Sequence, residues 1–205
     1  MKTTSERAER IVAASRGFEG FLGELRVDDL MRLVEVELGS LDAFVPRGDL
    51  HSMALAPGTV LHVVSGNSPH AGLQSLVRGV LLGAKNLVKV AAGCGAEIGA
   101  FAVALDCGVE VSEDLPDGWL EGAEVVVVFG SDETVEYFRE LIRPDQMFLP
   151  HGHKVSFSVV LDGVDKEEAA LLAARDVSQF DQQGCLRRNI LQPPNPATSC
   201  SNSAM

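Results

Sequence analysis

One uninterrupted apolar run constrains the fold of this chain more than any other feature of its sequence. Residues 124–129 read EVVVVF, and the positions after Glu124 carry no polar side chain. A strand with one solvated face would alternate polar and apolar residues, so this run predicts a strand buried on both faces, as in parallel sheets. Gly130-Ser131 follows at once and predicts a turn into a helix over 132–142, which Pro144 ends.

Strand and helix patterns alternate through the middle of the chain. The predicted strands are 59–64, 86–90, 109–111, 124–129 and 155–161, and the predicted helices between and after them are 70–82, 95–106, 132–142 and 166–180. Short glycine-containing turns separate them, which predicts an α/β fold with a doubly wound parallel sheet. Residues 4–40 are predicted to be helical, and the Pro- and Ser-rich stretch after Cys185 is predicted to be disordered.

The composition narrows the class of protein. Of the 205 residues, 46% are hydrophobic and 22% are charged, which excludes a disordered, collagen-like or coiled-coil chain. The net charge of −12 argues against binding nucleic acid or an anionic membrane through bulk charge. No apolar stretch reaches the roughly 18 residues of a spanning helix, and the N-terminus lacks the pattern of a signal peptide. The four cysteines form no CxxC pair, so we expect a cytoplasmic protein without disulfides.

Three loops follow predicted strands and should meet at the carboxyl edge of the sheet, where ligands of such folds bind. These loops are 65–69, 89–93 and 130–132. Asn67 offers an amide to a developing oxyanion, and Lys89 offers a cation late in an apolar strand. Gly130 and Ser131 offer backbone N–H groups at the start of a helix, where a phosphate can sit. The residues alone also allow an ordinary turn at Gly130, and they favour an ordinary turn at Asn67 and an edge lysine at Lys89.

Cys185 is the most interesting thiol of the chain. It ends a polar loop after a predicted helix and follows Gly184, so a substrate could approach it. A thiolate is the strongest side-chain nucleophile near neutral pH, although an unreactive loop thiol fits the local sequence as well. Cys94 and Cys107 lie among small residues and are predicted to be buried bystanders, and Cys200 has no evident role.

Two other polar groups are assigned no chemistry from sequence. His151 and His153 are two residues apart with no cysteine or acidic ligand beside them, so we expect no metal site. The acidic cluster of Glu113, Asp114 and Asp117 is interpreted as a solvated face.

Five segments, in their order and spacing, resemble the aldehyde dehydrogenase superfamily, and in particular the acyl-CoA reductases of the LuxC type. They are residues 65–69, 78–89, 129–131, 151–157 and 176–185. Reductases of this type make fatty aldehyde for bacterial luminescence. The last segment, DVSQFDQQGC, is the most specific match, because it resembles the segment that carries the catalytic cysteine. The resemblance implies a Rossmann-like, aldehyde dehydrogenase-like fold preceded by N-terminal helices.

The resemblance also implies a mechanism and site residues. Cys185 would attack the carbonyl of a fatty acyl-CoA, with Asn67 as the oxyanion donor. Hydride from NADPH would then reduce the acyl-enzyme to aldehyde. Lys89, Gly130 and Ser131 would bind the cofactor. A homo-oligomer or acyl-transferring partner proteins are further expectations of the same kind.

Two positions depart from the superfamily pattern. Ordinary aldehyde dehydrogenases carry a glutamate, the general base for hydrolysis, just before the strand that 151–157 resembles, and this chain has Pro150 there. The departure favours thioester exchange with CoA over oxidation to an acid. NAD-preferring members carry a carboxylate three residues after the cofactor-binding lysine, and this chain has Ala92 there, which favours NADPH.

The end of the chain gives a further expectation. In the family a large catalytic domain continues beyond the cysteine, whereas here only residues 186–205 follow it. We therefore expect a truncation just after Leu186 and three parts: helical 1–57, nucleotide-binding 58–184, and 185–205 with the start of the catalytic segment and a disordered tail. The alternatives are a non-catalytic nucleotide-binding remnant of the family and an unrelated flavodoxin-like or regulatory α/β domain.

Overall fold

The structure is a computed structural model that describes residues 3–66, 69–154, 157–159, 163–178 and 189–191. The chain divides into two compact units, residues 1–153 and 154–205. The helices of the first unit are α1 (Thr4–Ser15), α2 (Glu19–Leu22), α3 (Val27–Leu38), α4 (Pro69–Leu82), α5 (Ala96–Leu105), α6 (Trp119–Gly122) and α7 (Asp132–Leu141). Its strands are β1 (Val45–Arg47), β2 (Leu50–Ser52), β3 (Thr59–Val64), β4 (Lys85–Val90), β5 (Glu110–Ser112), β6 (Val125–Phe129) and β7 (Met147–His151).

The second unit is described by three elements. They are β8 (Phe157–Val159), α8 (Lys166–Ser178) and β9 (Asn189–Leu191), and β8 pairs with β9 in parallel. The strand β9 lies in the stretch predicted to be disordered; its Ile190 and Leu191 are the aliphatic residues of that stretch that favour a strand. Within the described ranges, no helix has both the length and the apolar character needed to cross a membrane.

A five-stranded parallel sheet organises the described part of the first unit. Its strand order is β5-β4-β3-β6-β7. From β3 the chain moves outward through β4 to β5, then returns to the other side of β3 for β6 and β7. Val63 of β3 pairs with Lys89 on one side and with Val128 on the other. The predicted α/β class and doubly wound sheet are therefore confirmed.

Helices cover both faces of this sheet. On one face, α1, α4 and α5 pack over Val64, Val88 and Val90. On the opposite face, α6 and α7 pack over Leu61 and Val126, among others. Every residue of β3 after Thr59 is buried, because the central strand has a helical layer above and below it. The valine run of β6 is explained in the same way.

The N-terminal helices join the first of these cores. A capping box starts α1, in which Thr3 Oγ1 accepts from Glu6 N and the Glu6 carboxylate accepts from Thr3 N. Ala8 and Ile11 are fully buried in the same cluster as the α4 and α5 side chains. Arg7 Nε also donates to the carbonyl oxygen of Leu81 at 2.8 Å. The predicted helical segment therefore forms part of the layer over the sheet, with breaks at Gly17 and Gly23.

The strand β7 was not predicted from sequence. It is an edge strand that pairs only with β6 in this sheet, and Met147 and Leu149 remain 59% and 41% exposed. Pro150 lies within it, and proline is tolerated at an edge because its missing N–H can face away from the neighbouring strand. The short hairpin of β1 and β2 and the single-turn helix α6 were also missed.

A buried polar network links the central strand to its neighbours. The His62 side chain of β3 is 1% exposed. Its Nδ1 lies 2.7 Å from Ser75 Oγ of α4, and its Nε2 lies 3.0 Å from Asn86 Oδ1 of β4. Asn86 Nδ2 donates in turn to the carbonyl oxygen of Ala84 at 2.8 Å. Because Asn86 Oδ1 can only accept, His62 Nε2 carries the proton and Nδ1 accepts from Ser75.

The network holds His62 in its neutral form. Burial lowers the pKa of His62 to about 4, although the hydrogen bond with Asn86 raises it in part. In the unfolded chain the imidazole titrates near 6.5. Below that pH the unfolded state binds a proton that the folded state does not accept, so the folded state loses stability as the pH falls from about 6.5 toward 4.

We expect His62→Gln to reduce this pH dependence. Between pH 7 and pH 5 the wild-type chain should lose about 2 kcal/mol of unfolding free energy through His62, and the variant should not show that loss. The variant should also be less stable than the wild type at pH 7, since a buried network is broken. Urea denaturation at both pH values measures the difference. His51→Gln, at an exposed position, is the control, and equal pH slopes for wild type and His62→Gln would contradict the assignment.

Candidate functional site

The fold brings the predicted loops together at the carboxyl edge of the sheet. The strand order reverses between β3 and β6, so the loops after these two strands diverge and leave a crevice between them. The loop after β4 lies directly beside the loop after β3. An ideal Cβ on Gly66 would lie 3.0 Å from Cys94 Sγ and 3.1 Å from Ala91 Cβ, so the two loops are in contact at a position that only glycine fits comfortably.

Lys89 is the cation of this edge. It is partly buried on β4, with Val63 and Ser112 as its register partners on either side. Its ammonium has no ion-pair partner among the described residues, whereas Lys85, at the start of the same strand, pairs with Glu110 at 2.8 Å. Lys89 is therefore available to an anionic ligand, and its role in binding one stays a prediction.

Gly130 and Ser131 form the turn between β6 and α7. Ser131 caps α7, and its Oγ accepts from Thr134 N at 3.3 Å. Gly130 N donates to the carbonyl oxygen of His151 at 3.3 Å, and an added Cβ on Gly130 would lie 2.9 Å from Thr134 Cβ. The turn is therefore held tightly, with its backbone at the crevice.

The first turn of α7 carries negative charge. Asp132 and Glu133 occupy it, and a hydrogen bond with Ser131 holds the pKa of the exposed Glu133 carboxyl below its usual value. Asp132 Oδ1 accepts from His153 N at 2.9 Å. These carboxylates offset the positive end of the helix dipole. The start of α7 is therefore less suited to an anion than its helix dipole alone would make it.

The histidines of this region have structural roles. The His151 ring stacks on Phe129 with centroids 4.6 Å apart, and His153 Nδ1 lies 3.6 Å from Asp132 Oδ2. In the described part of the chain, no group of three His, Cys, Asp or Glu side chains is arranged to hold a metal ion.

Asn67 and Cys185, the two predicted catalytic residues, lie outside the described residues. The neighbours of Asn67 are described: Gly66 ends the segment after β3, and Pro69 begins α4. The structure therefore brings Lys89, Gly130 and Ser131 to one edge, and the roles of Asn67 and Cys185 stay predictions.

Sequence reasoning missed one polar contact at this edge. Gly93 N, in the loop after β4, donates to Glu113 Oε1 at 2.9 Å. Glu113 directly follows β5 and is exposed, as expected of a solvated acidic face, but it also makes this hydrogen bond. A signal was present in the sequence, because Glu113 lies 20 residues after a glycine that precedes a helix, the spacing of the acidic residue in many dinucleotide-binding units.

The donor set of the edge suits a nicotinamide dinucleotide. A partly buried ammonium suits phosphate or ribose oxygens. Gly66 and Gly130 instead allow close packing within the protein, against Cys94 and Thr134. Because Gly130 N already donates to the carbonyl oxygen of His151, its N–H is not available to a phosphate, whereas Lys89 could contact one.

Comparison with known proteins extends this picture. A family model described as acyl-CoA reductase (LuxC) matches residues 7–192. A long-chain acyl-protein thioester reductase of Aliivibrio fischeri is 30% identical, over 76% of this chain and 36% of that protein. A long-chain acyl-protein thioester reductase 2 of Photobacterium leiognathi is 28% identical, over 76% of this chain and 37% of that protein. The chain thus spans little more than a third of the length of these relatives.

Solved structures agree with the fold. A betaine aldehyde dehydrogenase from Staphylococcus aureus in complex with NAD+ superposes with a TM-score of 0.63 at 13% identity, covering 94% of this chain and 46% of that one. An NAD+ complex of an aldehyde dehydrogenase from Bacillus cereus gives a TM-score of 0.64 at 15% identity, covering 92% and 47%. The fold is that of aldehyde dehydrogenases, over about half of their length.

Because the loops after β3 and β4 pack closely at Gly66, a side chain added there should destabilise the fold. Gly66→Ala should lower the unfolding free energy by about 1 kcal/mol, because the new methyl group would overlap Cys94 Sγ and Ala91 Cβ. Gly99→Ala, in α5 where an added Cβ meets nothing within 4 Å, should raise it by up to about 1 kcal/mol. Thermal or urea denaturation of the variants measures both effects.

A double variant tests the cause. Cys94→Ala removes the sulfur that the new methyl group would meet, so adding it to Gly66→Ala should recover part of the lost stability. Strictly additive effects of the two substitutions would show that the loops are not in contact.

Proposed function

Since the chain belongs to the acyl-CoA reductase (LuxC) family, we propose that it serves the NADPH-dependent reduction of a long-chain acyl thioester to an aldehyde through a cysteine acyl-enzyme. The family description names acyl-CoA, and the relatives are named for acyl-protein thioesters. Both substrates share the thioester carbonyl on which the chemistry acts. The observation that carries the proposal is Lys89, a partly buried cation without an ion-pair partner among the described residues, near the carboxyl end of β4 in a sheet with the aldehyde dehydrogenase fold.

Cys185 is proposed to be the nucleophile. Its thiolate attacks the thioester carbonyl carbon, a new C–S bond forms, and the bond to the departing thiol breaks, with the thiol leaving as thiolate and taking up a proton. The bound cofactor supplies the hydride that reduces the acyl-enzyme. The resulting thiohemiacetal releases the aldehyde and returns the Cys185 thiol. The balance is one acyl thioester, one NADPH and one proton consumed for one aldehyde, one thiol and one NADP+.

Asn67 is proposed to stabilise the oxyanion. Its amide and the Cys185 backbone N–H would donate to the carbonyl oxygen as negative charge develops there. A donor of this kind is worth about 3–4 kcal/mol of transition-state stabilisation. The position of Asn67 one residue after Gly66, at the carboxyl end of the central strand, supports this role.

Pro150 supports reduction rather than hydrolysis. It lies on β7 opposite Val128, at the place where the resemblance puts the glutamate base of ordinary aldehyde dehydrogenases. A proline ring cannot accept a proton from water. Without that base, the acyl-enzyme would persist long enough to exchange with a thiol or accept hydride.

Ala92 supports NADPH as the cofactor. It lies exposed in the loop after β4, three residues beyond Lys89, and places no carboxylate against a 2′-phosphate. Lys89, on β4 just before this loop, adds positive charge. The two together favour the more highly charged of the two nicotinamide dinucleotides.

Lys89→Met tests the cofactor site. We expect NADPH affinity to fall about tenfold, because the variant keeps the length of the side chain and loses a charge-assisted contact. Isothermal titration calorimetry with the full chain measures the dissociation constant. Lys85→Met is the matched control, since Lys85 lies on the same strand at the amino end and pairs with Glu110. Equal losses in the two variants would show that Lys89 has no special place in the site.

Cys185→Ala tests the covalent step. A labelled long-chain acyl-CoA should transfer its acyl group to the wild-type chain as a hydroxylamine-sensitive thioester, and the variant should take up no label. An acyl-carrier-protein thioester in a parallel reaction shows which donor is used. Cys94→Ala is the control. Equal labelling of wild type and Cys185→Ala would refute the acyl-enzyme, and NADPH binding without any acylation would favour the nucleotide-binding remnant.

A further inference from the structure

The carboxylate of Glu113 lies beside the loop that follows β4, the strand that carries Lys89 near its carboxyl end. β5 pairs with β4 so that Ser112 lies opposite Lys89, and Glu113 is the next residue along the chain. From there its Oε1 reaches back to accept from Gly93 N at 2.9 Å. The loop after β4 therefore has the ammonium of Lys89 at its start and a carboxylate from the neighbouring strand on its Gly93 N–H.

This contact distinguishes Glu113 from the other acidic residues nearby. All three carboxylates are exposed, but Asp114 and Asp117 make no hydrogen bond or ion pair among the described residues. Gly93 adopts φ +72°, a conformation that favours glycine, and an ideal Cβ on it would meet nothing within 4 Å. The carboxylate is thus hydrogen-bonded to an exposed stretch of backbone that no side chain covers at Gly93.

The chemistry of a carboxylate at this place is selective. Only Oε1 is used by Gly93, so Oε2 retains its capacity to accept hydrogen bonds. In dinucleotide-binding α/β folds, an acidic residue at the end of a strand accepts from the ribose 2′-hydroxyl of NAD, and its charge disfavours the 2′-phosphate of NADP. The loop after β4 has Ala92 where the family pattern has such a carboxylate.

We propose that Glu113 selects between the two nicotinamide dinucleotides, accepting a hydrogen bond from the adenosine ribose of NADH and repelling the 2′-phosphate of NADPH. The inference rests on the proposed cofactor site around Lys89. Glu113, directly after β5, then supplies the carboxylate that the loop after β4 lacks at Ala92. The preference for NADPH is accordingly smaller than Ala92 alone predicts, because Glu113 places a negative charge on the loop that follows Lys89.

Glu113→Gln isolates the charge. The glutamine oxygen can still accept from Gly93 N, so the loop keeps its hydrogen bond while the negative charge disappears. We expect the ratio of the NADH to the NADPH dissociation constant to rise about five- to tenfold, mainly through tighter NADPH binding. Fluorescence or calorimetric titration of the full chain with each dinucleotide gives both constants without requiring turnover. Asp114→Asn removes an adjacent negative charge and should leave the ratio unchanged.

The outcomes separate this inference from the cofactor site itself. An unchanged ratio in Glu113→Gln, with Lys89→Met still weakening binding, would overturn the role of Glu113 alone. A ratio shift of equal size in Asp114→Asn would overturn it as well, because the effect would then be bulk charge. Failure of the wild-type chain to bind either dinucleotide would overturn the cofactor site and this inference together.

Discussion

The parallel pairing of β3 with β4 on one side and β6 on the other is the constraint from which the rest of the structure follows. A parallel strand pair needs a crossover, so each connection must pass over a face of the sheet, and the reversal of direction at β3 sends helices to both faces. Because helices cover both faces of the sheet, the side chains of β3 and β6 are almost all apolar. The same reversal parts the loops after these two strands, which creates the crevice at the carboxyl edge.

β4 shows how one strand can serve both the core and a ligand. Asn86 and Lys89 are three residues apart, so their side chains point to opposite faces of the sheet. Asn86, near the amino end, closes the hydrogen-bond network of His62 inside the core. Lys89, near the carboxyl end, lies partly buried beside Val63 and Ser112. Asn86 and Lys89 lie on opposite faces and near opposite ends of β4. A substitution of Lys89 should therefore leave the buried network of His62 and Asn86 intact.

The sequence predicts the α/β class and, except for the single-turn helix α6, the order of elements from β3 to α7, because aliphatic runs and glycine turns are local signals. Residues 124–129 and Gly130 are examples. It did not predict β7, since an edge strand with exposed Met147 and with Pro150 lacks the pattern of a buried one. The His62 network was also out of reach, because the partners Ser75 and Asn86 lie 13 and 24 residues away and meet only through packing.

The loop after β4 shows why a residue-by-residue comparison with a family is insufficient for specificity. Ala92 alone suggests that no carboxylate approaches the ribose region. Strand pairing, however, fixes Glu113 one residue beyond the partner of Lys89, and its hydrogen bond to Gly93 places negative charge on that same loop. Charge at a ligand site depends on distance and not on which strand supplies it. A carboxylate absent from the loop after one strand can therefore be supplied by the neighbouring strand, and the register of the sheet shows which residue is close enough to do so.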